Sequence, residues 1–222
     1  MDTQRKLNRR GALSAAGGLG LGAFVAACGG GSATTEADAA SSCVLSPEVT
    51  EGPYYVDGAL TRRDVTEGRP GVPLELRLAV QNAATCKPIA GANVEIWHAD
   101  AGGAYSGVDG NSADWLRGNQ RAGASGVVRF ATVYPGWYPG RTPHIHLKVH
   151  VGGDVVHTGQ LFFPDALSAV VYMRSAYRAH GPADMRNSSD NIYEQAGGSR
   201  ARLKMARRGS GYLGRATLGV AA

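Results

Sequence analysis

Apolar and polar residues alternate along Leu74–Val80, with Leu74, Leu76, Leu78 and Val80 on one side of the run and Glu75, Arg77 and Ala79 on the other. Strand side chains point to opposite faces with period two, so this pattern predicts a half-buried strand. Shorter runs suited to strands lie at Asn93–His98, Val127–Val133, His144–Val151 and Val155–Phe163, each bounded by Gly, Pro, Asn or Asp. That spacing, without a rhythm of strands and helices in turn, predicts an all-β domain of sandwich or barrel type. One helix is expected over Ala166–His180, capped by Asp165, with Val170, Met173 and Tyr177 at helical spacing as core packing. Gly181–Ala222 is rich in Gly and Arg with weak periodicity, and reads as irregular structure wrapped on the sandwich.

Composition agrees with this reading. The 222 residues are 43% hydrophobic and 18% charged, enough to bury a core and too apolar for a disordered chain. The 32 Gly and 10 Pro favour many turns over long helices. The formal charge of +5 is concentrated at one end: residues 1–27 hold four Lys/Arg against one Asp, leaving a surplus of two positive charges for the rest. A nucleic-acid partner is not expected from so small a surplus.

Arg5, Lys6, Arg9 and Arg10 precede the Gly/Ala-rich apolar run Gly11–Ala27, which is short and weakly hydrophobic for a membrane span and reads as an export signal. The Arg9–Arg10 pair resembles a twin-arginine signal, and Val25-Ala26-Ala27-Cys28 resembles a bacterial lipobox in which Cys28 is acylated. Residues 1–27 are therefore expected to be the signal, 28–42 a flexible tether, and 43–222 the folded domain. The expected location is outside the cytoplasm, as a cell-envelope lipoprotein or a periplasmic or extracellular protein whose membrane contact runs only through the anchor. With Cys28 assigned to lipidation, Cys43 and Cys86 remain as an even pair in an oxidising compartment and are expected to form a disulfide.

The chemistry centres on Pro143-His144-Ile145-His146-Leu147-Lys148-Val149-His150. Alternation puts His144, His146, Lys148 and His150 on one face, and same-face neighbours lie about 6.6 Å apart, close enough for His144 and His146 to share one ion. His150 is about 13 Å from His146 along the strand and is a poor third ligand. A histidine pair alone is equally at home on the polar face of a strand. The segment Tyr134–Pro143 adds Tyr138 and Arg141 and contains no Asp or Glu, which argues against a two-His-one-carboxylate ferrous site and against Mg²⁺ or Ca²⁺. Two phenolates, with Tyr105 as the second, and two neutral imidazoles favour Fe(III).

Val94–Tyr105, Tyr134–Tyr138 with Arg141, the His144-Ile145-His146 run, Gln160–Phe163 and, upstream, Glu51-Gly52-Pro53-Tyr54-Tyr55 resemble, in order, the motifs of the intradiol ring-cleavage dioxygenases. The resemblance implies a β-sandwich holding a non-haem Fe(III) through Tyr105, Tyr138, His144 and His146. It further implies Arg141 and Gln160 on the substrate side, Tyr54 and Trp97 in the substrate pocket, and Tyr138 as a ligand that yields to substrate and takes up its proton. The implied reaction joins O2 to a small aromatic diol of the catechol type, cutting the ring between its two hydroxylated carbons to give a muconate-type diacid. Only five residues separate Tyr138 from His144, shorter than in the catechol and protocatechuate enzymes. The N-terminal helical domain of the catechol 1,2-dioxygenases has no counterpart here, so the chain looks like the compact secreted branch.

A second resemblance competes. Cys86–Val94, Gly126–Phe130 and Pro135–Tyr138 are also similar to transthyretin-like surface modules, which need no metal. The histidine pair together with Tyr105, Tyr138 and Arg141 favours the enzyme.

Overall fold

The computed structural model describes residues 43–110 and 112–222; the signal, Cys28 and the tether fall outside the described residues. The strands are β1 (Pro73–Asn82), β2 (Asn93–Trp97), β3 (Arg117–Arg121), β4 (Val127–Val133), β5 (His144–Val151), β6 (Asp154–Phe162), β7 (Lys204–Arg208) and β8 (Gly211–Val220). They form two four-stranded sheets, the first in the order β4-β1-β8-β7 and the second in the order β3-β2-β5-β6. The protein is predominantly β, as the alternating runs predict. β1 and β8 run parallel, and the other pairings are antiparallel.

The core lies between the sheets. Leu74, Leu76, Leu78 and Val80 of β1 meet Val94 and Ile96 of β2, Phe130 of β4 and Ile145, Leu147 and Val149 of β5, all buried in one cluster. Each such side chain contributes roughly 1.5–3 kcal/mol on burial, so the apolar half of every alternating run is fixed inward and the polar half outward. The parity of β5 follows: with 145, 147 and 149 facing the core, His144, His146 and Lys148 must face away from it, on the outer surface of the second sheet.

Two expectations fail. Gly181–Ala222 is not irregular throughout, because it supplies the edge strand β7 and the interior strand β8. The glycines that make Gly211–Val220 read as loop are there for close approach: a Cβ on Gly211 would lie 2.0 Å from the Pro73 carbonyl oxygen, and one on Gly219 would lie 2.2 Å from that of Val44. The expected helix over Ala166–His180 is broken into α1 (Asp165–Tyr172) and α2 (Ser175–Arg178). Tyr172 and Tyr177 are both buried, with hydroxyls donating to the Pro135 and Tyr134 carbonyls. Residues five apart do not share a face of a continuous helix, and the break at Met173–Arg174 lets both rings enter the core. Val170 and Met173, expected in the core, are 52% and 70% exposed. Pro164, not Asp165, occupies the cap position; Asp165 accepts from the Asn187 amide. A third short helix, α3 (Asn191–Gln195), is capped by Asp190.

Cys43 and Cys86 are disulfide-bonded, with Cα atoms 5.3 Å apart. The bond ties the start of the described chain to the turn after β1.

Candidate metal and substrate site

Strand register sets the site. Trp97 pairs with His146, His146 with Gln160, and His144 with Phe162, so β2, β5 and β6 present Trp97, the two histidines and Gln160 side by side on the outer face of the second sheet. Loops cover this face and bury it: Tyr54 and Tyr55 from the segment before β1, Tyr105 from the loop after β2, and Tyr138 from the turn before β5 pack around Trp97. Tyr54, Trp97, Tyr105, Tyr138, His144, His146 and Gln160 are thus brought into one neighbourhood.

The polar atoms converge. His144 Nε2 lies 3.0 Å from His146 Nε2 and 3.2 Å from the Tyr138 hydroxyl. His144 Nδ1 sits 2.7 Å from the Thr142 carbonyl oxygen, which can only accept, so Nδ1 carries the proton and Nε2 is left with its lone pair. Burial drives His144 down to about 3, with the Arg141 charge adding to it, and drives His146 well below the ordinary imidazole value, with His144 adding to it. Both rings are therefore neutral. Trp97, 1% exposed, stacks on His146 with ring centres 5.0 Å apart and planes 8° from parallel.

Tyr105 is buried, and Tyr138 is partly so. Burial raises Tyr105 well above its ordinary value, and its hydroxyl, like His146 Nδ1, has no hydrogen-bond partner. Tyr138 is raised by burial and drawn back by the Arg141 guanidinium, whose Nη1 donates to the Tyr138 hydroxyl at 3.3 Å. Tyr54 stacks on Tyr105 at 4.4 Å and meets Tyr138 edge-on at 5.6 Å. An orphaned buried hydroxyl beside two neutral imidazoles and a second phenol is an incomplete polar cluster, and a hard multivalent cation completes it: it takes the lone pairs and favours loss of the phenolic protons. The donor set fits Fe(III). No group of three or more His, Cys, Asp or Glu could hold a metal among the described residues, so a site here must draw on tyrosine.

Arg141 is aimed by its neighbours. It donates from Nη2 to Gln160 Oε1 at 2.6 Å and from Nε to Asp190 Oδ2 at 2.9 Å, and Gln160 in turn donates to the Thr50 carbonyl at 3.0 Å. Asp190 also accepts from the Thr142, Ile192 and Tyr193 amides. Burial works to raise its carboxyl, but Arg141 and these amides outweigh that and hold it below the usual range. Sequence reasoning missed Asp190 and Thr142. Asp190 carries a cap signal before a short helical run, yet nothing in the sequence pairs it with an arginine far upstream. His150 lies away from the cluster, 3.6 Å from Glu95, and His98 is a satisfied core histidine bonded to Thr132 and the Ala99 carbonyl.

Residues 50–191 match the family model described as Dioxygenase. A solved intradiol ring-cleavage dioxygenase from Tetranychus urticae is 36% identical, with a TM-score of 0.77 over 80% of this chain and 95% of that one. The dioxygenase domain of a carbohydrate-binding fusion protein from Streptomyces sp. SirexAA-E is 32% identical, with a TM-score of 0.63 over 79% of this chain and 97% of that one. Catechol 1,2-dioxygenase 1 of Acinetobacter lwoffii is 38% identical over 101 residues, 42% of this chain and 32% of that protein. The chain spans about a third of that curated relative's length.

Proposed function

Since this chain belongs to the intradiol ring-cleavage dioxygenase family, we propose that it joins O2 to a small catechol-type diol and opens the ring between the two hydroxylated carbons, giving a muconate-type diacid. The observation that carries the reading is the convergence of the Tyr138 hydroxyl and the His144 and His146 Nε2 atoms, with Tyr105 orphaned beside them. Tyr105, Tyr138, His144 and His146 would hold a non-haem Fe(III), whose charge withdraws electron density from a bound diol and so activates the substrate ring.

The protein's own groups supply the rest. Tyr138 lies within reach of Arg141 and His144, and as the phenolate that a bound cation would favour it would be placed to accept a proton from an incoming substrate hydroxyl and return to the phenol. Arg141, fixed by Asp190 and Gln160, offers a preorganised cation to negative charge developing on the ring, and such a donor acts best where water is excluded. Tyr54, Tyr105 and Trp97 give that neighbourhood its aromatic walls. The short Tyr138–His144 turn alters one wall of the pocket, and small catechols without a required carboxylate are the favoured substrates.

We also assign the chain to the cell envelope, with residues 1–27 as signal, Cys28 as lipid anchor, 28–42 as tether and 43–222 as the catalytic domain. The Cys43–Cys86 disulfide supports an oxidising compartment.

Mass spectrometry of products made under labelled dioxygen from a panel of catechols tests the reaction. Both labelled atoms should enter the diacid. A semialdehyde cut beside the diol, or no turnover with iron fully loaded, overturns it.

A further inference from the structure

Four cations stand directly opposite one another across the full width of the first sheet. On its outer face Arg129 of β4 is opposite Arg77 of β1, Arg77 is opposite Arg215 of β8, and Arg215 is opposite Lys204 of β7. All four are exposed, and none is ion-paired among the described residues. Neighbouring strands are about 4.8 Å apart, so the row spans about 14 Å. Like charges directly opposite each other destabilise a sheet, and an anion laid along the row would relieve that cost. Lysine on an edge strand discourages edge-to-edge pairing, which accounts for Lys204. It does not account for Arg77 and Arg215, which sit on the two interior strands.

The positive surface continues beyond the row. A cleft of about 300 Å³ adds Arg63 and Arg121 beside Arg77 and Arg129. A larger one of about 660 Å³ adds Arg200 and Arg202 beside Arg77, Arg215 and Lys204. Neither lining includes Asp or Glu. Glu75, the one carboxylate that the four strands place on this face, is ion-paired with Arg208 at 3.4 Å. The small surplus of positive charge outside the signal is therefore gathered here, which total charge conceals.

We propose that the outer face of the first sheet docks on the anionic phospholipid headgroups of a membrane. Single-stranded nucleic acid is held by aromatic stacking as well as by cations, and the four strands place no aromatic residue on this face. The chain before Cys43 carries only Glu36 and Asp38 as carboxylates beyond the signal, too few to neutralise eight cations. The point where that chain enters the domain favours a membrane: Cys43 and Val44 line the same cleft as Arg77, Arg215 and Lys204. A tether from a membrane anchor, as proposed above, would deliver this face to the bilayer, and clustered Lys/Arg near an anchor bind anionic lipid. The two sheets turn their outer faces in opposite directions, so docking leaves the tyrosine–histidine site on the second sheet directed at solvent and open to substrate.

The test is co-sedimentation of the full chain carrying Cys28→Ala, which cannot be lipidated, and Arg5→Gln/Lys6→Gln/Arg9→Gln/Arg10→Gln, which removes the cations of the signal, with vesicles of phosphatidylcholine and with an equal mixture of phosphatidylcholine and phosphatidylglycerol. Neutral vesicles measure what the apolar signal contributes, and the excess on anionic vesicles measures the face. That excess should fall at least about tenfold in the Arg77→Glu/Arg215→Glu double variant, since each cation near such a surface contributes roughly fivefold. Arg77→Lys/Arg215→Lys should retain it, and added salt should weaken it. If the reversed pair does not fold, Arg129→Gln/Lys204→Gln should show a smaller loss of the same sign. Equal sedimentation on both vesicle types, an excess untouched by the folded variants, or tighter binding to nucleic acid or a sulfated polysaccharide at the same salt overturns the proposal. Vesicle binding needs neither iron nor turnover, so failure of the proposed reaction leaves this result readable by itself.

Discussion

Arg141 and Asp190, 49 positions apart in the chain, form an ion pair at 2.9 Å in which the carboxylate is fully buried and the arginine side chain is 16% exposed. The pair fixes Arg141 between the Tyr138 hydroxyl and Gln160, and the same carboxylate caps α3. A helix cap and the positioning of a site cation therefore depend on one side chain.

Arg141→Ala should keep iron and colour while lowering turnover by about 10²–10³, the usual loss for one transition-state charge stabiliser. Asp190→Asn retains an oxygen for the α3 amides but loses the charge that holds Arg141, so turnover should fall less than in Arg141→Ala, with iron content unchanged. Steady-state rates alongside metal analysis check both. Loss of iron in Asp190→Asn would instead make the residue a support of the ligand cluster.

The purified protein should contain about one ferric iron per chain and absorb in the visible through tyrosinate-to-iron charge transfer. His144→Ala or His146→Ala should lose metal and colour, whereas His150→Ala, whose ring faces Glu95, should keep both. Equal loss in all three variants, or a colourless protein that takes zinc in preference to iron, would contradict the assigned ligands.

Glu95 gives a pH dependence with a definite sign. Burial raises its carboxyl from 4.5 to about 7 against the opposing pull of Lys148. Between those values the unfolded chain has lost the proton that the folded chain still holds. The contribution of Glu95 to stability must therefore fall as pH rises through this window, with the penalty complete above it, while the buried neutral histidines His98, His144 and His146 contribute with the opposite sign. Urea unfolding at a series of pH values isolates this contribution as the difference between the two proteins, and the wild type should lose stability relative to Glu95→Gln as pH rises from 4.5 to about 7. Parallel profiles would mean that the carboxyl is ionised in the fold throughout.

Reducing the Cys43–Cys86 disulfide should cost about 2–5 kcal/mol of stability. Thiol labelling of exported protein under denaturing, non-reducing conditions should find neither cysteine free, and unfolding with and without reductant measures the difference. Recovery of both as free thiols from the cell envelope would contradict the bond.

The strands β1, β2, β4, β5 and β6 were legible because each carries an alternating or continuous apolar run that one buried face selects. β3 (Arg117–Arg121) has no apolar residue to betray it, and β8 is masked by glycines whose purpose is contact with Pro73 and Val44, residues distant in sequence. The run Ala166–His180 breaks into two helices where spacing predicts one, because spacing alone cannot report that Tyr172 and Tyr177 both need the core.

At the site, local pattern was enough to pick out candidates: the alternation of β5 put His144 and His146 on one face, and the residues around them offered phenols and a cation without carboxylates. Local period and side-chain identity suffice for that. The fold alone brings Tyr54, Tyr105 and Tyr138 over the histidines, sets the His144 tautomer through Thr142, aims Arg141 through Asp190, and lines up four cations across the first sheet. Each of these depends on register between strands or on loops meeting across the fold, and such pairings are fixed by the packing of the whole core.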